Sequence, residues 1–207
     1  MPPATSPELT RTLDARPSAQ TGYRGRAFLY VLVASGPEDL LKVGMTHDPL
    51  VRWSAFHPRW FEAFDLEHSL LVETETRRDA QALETQLHRM LVAHHCPMPI
   101  TMRGQAGGGT EWYRGAYAVV RRFVSARQAE GFVAHFAASA WLRAAMRQQQ
   151  DRLEGLLHQA HADHLAGWLS PAQRQAMRDL IDAHLALDPG VATRLPANIL
   201  DALGITR

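Results

Sequence analysis

The sequence predicts an α+β protein. A small domain with a central antiparallel three-stranded sheet flanked by helices is followed by an α-helical C-terminal region. Short runs rich in β-forming residues, AFLYVLVA (27–34), LLKVGM (40–45) and FDLEHSLLVET (64–74), gather in the first third of the chain. Helix-start signals stand between and after them, at Asp48-Pro49, Thr76-Arg77-Arg78-Asp79 and Ser170-Pro171. From about Tyr117 onward the pattern is helical.

The first run is continuously apolar and short, which suits a strand buried on both faces. The SGPED segment turns the chain, so 27–45 reads as an antiparallel hairpin. Asp48 then supplies a cap acceptor, and Pro49 stands where a missing N–H costs nothing. The helix that follows carries Leu50, Trp53 and His57 on one side. A third strand at 64–74 leads to a capping-box-like TRRD and a long helix, with Ala80, Leu83, Leu87, Met90 and Leu91 at three-to-four spacing. Residues 96–110 are rich in Pro and Gly and form a loop; EWY (111–113) is a short strand or an extended docking segment. Beyond it, 117–150 is one long helix or two broken near Gly131, with further helices at 151–169 and from Ser170. Trp141, Leu142 and Trp168 are placed in the core or a helix-packing seam. The domains implied are a flexible arm at 1–25, with a short helix starting at Ser6-Pro7, a sheet domain at 26–117 and a helical region at 118–207.

Composition bounds the function. The formal net charge is +1 over 207 residues, so bulk charge does not argue for a nucleic-acid partner. Any affinity for an anionic polymer has to come from local patches. One cysteine, Cys96, excludes an intrachain disulfide and suits a reducing compartment. No apolar run approaches the roughly 18 residues of a membrane helix, and the first residues lack a secretory apolar stretch. A cytoplasmic location without membrane attachment is the expectation.

The hairpin carries two polar residues that a buried sheet does not need, Tyr30 and Lys42. Direct pairing of the strands puts them on one face within reach of each other. Arg52 follows on the next helix and Glu84 on the long one, with His88 one turn later. A phenol, an ammonium, a guanidinium and a carboxylate together suit metal-assisted phosphoryl transfer. The carboxylate holds a hard divalent cation, Mg²⁺ or Mn²⁺. The guanidinium grips phosphate. The phenol, its pKa lowered by nearby cations, takes a proton from the attacking water or orients it. HRMLVAHHC does not make a zinc site, since no second cysteine exists and His94-His95 cannot easily share one metal. His158, His161 and His164 belong to a solvated or partner-facing helix surface.

In order and spacing these residues resemble the GIY-YIG nuclease family. Phe28-Leu29-Tyr30 stands at the first triplet and Lys42-Val43-Gly44 at the second; VGMTHDPLVRW leads to Arg52, ALETQLH places Glu84, and GGTEWY resembles a closing motif of a phage-associated subgroup. That subgroup also carries lysine in the second triplet. The resemblance covers about 26–117, and Asn198, the sole asparagine, is far from where the family carries its own. It implies a metal-dependent endonuclease acting on DNA. Tyr30, Lys42, Arg52 and Glu84 are then catalytic, with Glu84 the ligand of Mg²⁺ or Mn²⁺. His57, His88, Arg121 and Arg122 contact substrate, Arg121 and Arg122 through phosphates. The alternative is a catalytically degenerate DNA- or protein-binding module of the same fold. The helical region is left to choose the target, to seat a protein partner or to form a homo-oligomer.

Overall fold

The structure is a computed structural model that describes residues 25–99 and 110–204. The expected arm (apart from Gly25) and most of the Pro/Gly loop lie outside the described residues. The chain divides into two compact units between Leu142 and Arg143. The sheet-bearing unit thus runs beyond the boundary at 117 expected from the sequence. The reason is that the helix after 117 supplies core residues to the sheet.

The sheet unit contains β1 (Ala27–Ala34), β2 (Leu40–Thr46), α1 (Pro49–Ser54), α2 (Trp60–Ala63), β3 (Phe64–Thr74), α3 (Arg77–Met90), β4 (Trp112–Arg114), α4 (Tyr117–Ala129) and β5 (Ala134–His135). All strand pairs are antiparallel, in the order β4-β2-β1-β3-β5. The sheet therefore has five strands and not the three expected; the three long ones are its centre. The added edge strands are too short to show a period of two. Just past the end of α4, Gly131 takes a φ of +100° that a side chain would resist.

Two helix starts in this unit follow from their sequence. The Asp48 carboxylate accepts the Val51 N–H at 3.2 Å, and Thr76 Oγ1 accepts the Asp79 N–H at the same distance. These bonds satisfy donors that the first helical turn cannot.

Strand alternation sends two sets of side chains to opposite faces. Leu29, Val31, Leu41, Val43, Leu70 and Val72 pack with Leu83, Leu87 and Leu91 around α3 and with Val120, Phe123 and Val124 of α4. Each of these buried aliphatic side chains contributes about 2 kcal/mol. The opposite face is aromatic. Tyr30 lies edge-on to Trp53 and Phe56, with ring centroids 6.3 and 6.2 Å apart, and Trp53 meets Trp60. β1 is covered on both sides, as its unbroken apolar run implies.

Register decides where the hairpin's odd residues go. Tyr30 pairs with Gly44 and Leu32 with Lys42. Tyr30 and Lys42 thus share a face as diagonal, not direct, neighbours. The Tyr30 ring lies across its glycine partner: a Cβ on Gly44 would stand 2.3 Å from the phenol oxygen. Gly44 is the seat of that ring.

The second unit is helical. It contains α6 (Gln150–Leu165), α7 (Pro171–Leu187) and α8 (Ala197–Leu203), while α5 (Ala138–Gln148) runs across the division point. Ser170 and Gln173 form a complete capping box at the start of α7. Leu153, Leu157, Met177, Ile181, Ile199 and Leu203 are among the core of this unit. Arg174 and Arg178 reach from α7 to the carbonyls of Ala202 and Leu203 at 2.7 and 2.6 Å, satisfying acceptors at the end of α8. Trp168 is 51% exposed, so the expected core position is not where it lies. It follows α6, in the turn before Ser170.

Asp188 closes α7. Arg147 and Arg194 donate to its carboxylate at 2.8 and 2.9 Å and hold it well below the usual carboxylate range. One turn earlier, burial pushes His184 down to about 4, against the pull of Asp188.

Two outcomes follow for unfolding measurements. Gly44→Ala should cost about 1–3 kcal/mol through overpacking, and most of that loss should vanish in a Tyr30→Leu background, read by urea denaturation. The folded pKa of His184 is depressed, so its neutral form's contribution is complete above about pH 6.5 and is lost as pH falls toward 4. The lost stability should reach about 3 kcal/mol at the acid end, and His184→Leu should flatten that part of the pH–stability curve.

Candidate active site

The hairpin face and two neighbouring helices bring a charged set together. Tyr30 comes from the middle of β1, Lys42 from β2, Arg52 from α1 and Glu84 from α3. Glu111 joins them from the residue before β4, because its carbonyl accepts the Val43 N–H at 3.1 Å and docks that segment on β2. The charges of Arg52, Glu111 and Glu84 act on both the Tyr30 phenol and the Lys42 ammonium.

Lys42 is fully buried, with no exposed surface. Its Nζ donates to Glu111 Oε2 at 3.0 Å and lies 5.5 and 5.7 Å from the ring centroids of Phe56 and Trp112. Aromatic faces attract a cation, and Glu111 supplies the counter-charge. Burial pulls the Lys42 pKa below the ordinary lysine value, partly offset by Glu111. A snorkelling edge-strand lysine would keep its head in water; this one does not.

Tyr30 is buried too, and burial pushes its phenol up to about 12. The sequence-based expectation was a phenol made more acidic by Lys42 and Arg52. Desolvation outweighs both the long Arg52 Nε–Tyr30 Oη contact of 3.5 Å and the Arg52 charge. The phenol is neutral at physiological pH, so it donates or accepts a hydrogen bond and does not serve as the resting proton acceptor. Arg52 packs its guanidinium 4.6 Å above the Phe56 ring centroid, which fixes the plane of its donor fork.

Glu84 and His88 lie one helical turn apart on α3, both partly exposed. His88 Nδ1 shares a hydrogen bond of 2.6 Å with the Tyr113 hydroxyl, and the two rings stack with centroids 5.7 Å apart. His88 Nε2 stands 3.8 Å from Glu84 Oε1. One ligand atom each from Glu84, His88 and Glu111 lies within 4.8 Å of the others.

The other expected substrate contacts have partners or surroundings of their own. His57 Nδ1 accepts the Arg59 N–H at 3.1 Å, a role at the start of α2. Arg121 and Arg122 are exposed on α4, and Arg121 acts on the Tyr117 hydroxyl. Glu111 is not in the catalytic set expected from the sequence. The signal for it was the EWY segment: a strand edge beside β2 necessarily sets the preceding residue next to Val43.

No described helix is long and apolar enough to cross a membrane. No curated protein and no solved structure matches the chain. The resemblance to GIY-YIG nucleases is overturned, because the matching family model is that of a different family. The positions that suggested it have local causes: Gly44 seats a ring, Trp112 fills the core, and Asp48-Pro49 starts a helix. Residues 27–128, which include Tyr30, Lys42, Arg52, Glu84 and Glu111, match the T5orf172 domain.

Proposed function

We propose that the sheet unit is a metal-dependent endonuclease that hydrolyses phosphodiester bonds in DNA, using Mg²⁺ or Mn²⁺ held at Glu84. The observation that carries this reading is the meeting of Arg52, Lys42 and two carboxylates around one buried phenol. Gathering these charges around a buried ammonium and phenol costs desolvation that packing alone does not require.

Each side chain has a distinct part. Arg52 grips a phosphate oxygen with its fork and neutralises charge that grows in the transition state. Tyr30, neutral and held rigidly over Gly44, orients the attacking water or a phosphate oxygen through its hydroxyl. Lys42 contributes a fixed positive charge from below the site. Glu84 is the anionic ligand, and a cation bound there would stabilise the leaving oxygen. Arg121 and Arg122 serve as exposed phosphate contacts outside the site.

A second reading, a non-catalytic DNA- or protein-binding module, is favoured by one observation. Tyr30 and Lys42 are almost wholly inaccessible, at 1% and 0% exposure. Supercoiled plasmid incubated with Mg²⁺ or Mn²⁺ separates the two. Under the nuclease reading the wild type nicks it; Glu84→Ala and Arg52→Ala lower the rate by a hundredfold or more, about 2.7 kcal/mol of barrier. Tyr30→Phe loses less than Arg52→Ala. DNA binding without cleavage, equal in wild type and Glu84→Ala, establishes the second reading instead.

A further inference from the structure

We infer that Glu84, His88 and Glu111 together form one divalent-cation site of mixed nitrogen and oxygen ligands, which selects Mn²⁺, Co²⁺ or Zn²⁺ over Mg²⁺. This deepens the reading of the site given above and rests on a cation being held at Glu84.

Three features of the geometry carry it. First, the three groups offer ligand atoms all within 4.8 Å of one another, and they come from two elements, α3 and the segment before β4. Second, His88 is prepared as a ligand. Its Nδ1 is occupied by the Tyr113 hydroxyl at 2.6 Å and its ring is stacked on Tyr113, which leaves Nε2 as the inward nitrogen. Metal-ligating histidines are oriented in this manner by a partner on their other nitrogen. Third, Nε2 and Glu84 Oε1 face each other at 3.8 Å, beyond hydrogen-bond length. They converge without satisfying one another.

Glu111 already receives the Lys42 ammonium through Oε2. A carboxylate has two oxygens and about four acceptor directions, so one side chain can serve the lysine and a cation together. Two carboxylates held close repel each other, and a divalent cation between them removes that repulsion. The imidazole decides the type of metal. Mg²⁺ takes oxygen ligands and keeps its waters, whereas imidazole suits the later first-row ions, whose affinity for such sites rises along the series. The ligand set of the proposed cation thus extends from Glu84 to three side chains.

Isothermal titration of the full chain with MnCl₂, CoCl₂ or MgCl₂ alone tests this, with no DNA present. The wild type should bind one Mn²⁺ or Co²⁺ per chain at least tenfold more tightly than Mg²⁺. His88→Ala should weaken Mn²⁺ and Co²⁺ at least tenfold while leaving Mg²⁺ unchanged within about twofold. Glu111→Gln should weaken all three ions. Electron spin-echo spectroscopy of bound Mn²⁺ should show a nitrogen coupling in the wild type that His88→Ala lacks. His88→Gln, with a matched thermal unfolding midpoint, guards against misreading a fold defect. Equal Mn²⁺ affinity in wild type and His88→Ala, no nitrogen coupling, or no Mn²⁺ binding by the wild type overturns the ligand set. Plasmid nicking in the face of that result leaves the nuclease reading standing. Metal bound by all three residues without any cleavage defeats the nuclease reading alone.

Discussion

A single buried ammonium constrains this site. Lys42 sits in the middle of a sheet with aromatic rings beside it and no contact with solvent. A charge so placed costs several kcal/mol in desolvation unless an opposite charge and hydrogen bonds compensate it. Glu111 provides the opposite charge at 3.0 Å, and it does so from a segment docked on β2 through backbone hydrogen bonds. The ammonium thus ties the segment leading into the edge strand β4 to the first hairpin. That link places Glu111 near Glu84 and sets the arrangement of acids that faces Tyr30 and Arg52.

The second constraint is steric. Tyr30 occupies the space over Gly44 that any side chain there would fill. The ring is wedged between its cross-strand glycine and the Trp53 and Phe56 edges, so its hydroxyl has little freedom. The burial that fixes the phenol also raises its pKa to about 12, which makes a rigid hydrogen-bonding group and removes a ready base. Rigidity and acidity are set by the same packing and cannot be tuned apart.

Much of this was legible in the sequence, and the limits have physical causes. β1 and β3 were readable to their ends because long apolar or alternating runs carry period and length together. β5 was not: two residues at Ala134–His135 cannot show alternation, and their pairing with β3 depends on the turn at Gly131 after α4. Tyr30, Lys42, Arg52 and Glu84 stood out as polar residues in or beside apolar elements, and the charges of Arg52 and Glu84 act on both Tyr30 and Lys42. Their diagonal register, the burial of Lys42 and the direction of the Tyr30 shift are properties of packing that no local pattern encodes. The same holds for His57, whose neighbours in helical spacing gave no hint that its ring would accept a backbone N–H at Arg59. Family resemblance built on spaced single residues misled because ring seating, core filling and helix capping account for several of them.

Lys42 and Glu111 act as one interdependent unit on which the site is built. Urea unfolding of the full chain measures this through tryptophan fluorescence, as Trp53, Trp60, Trp112 and Trp141 all lie in the sheet unit. Glu111→Ala should cost about 3 kcal/mol by stranding a buried charge, and adding Lys42→Met should recover at least half of that loss. Losses that simply add, to within about 0.5 kcal/mol, would contradict the account.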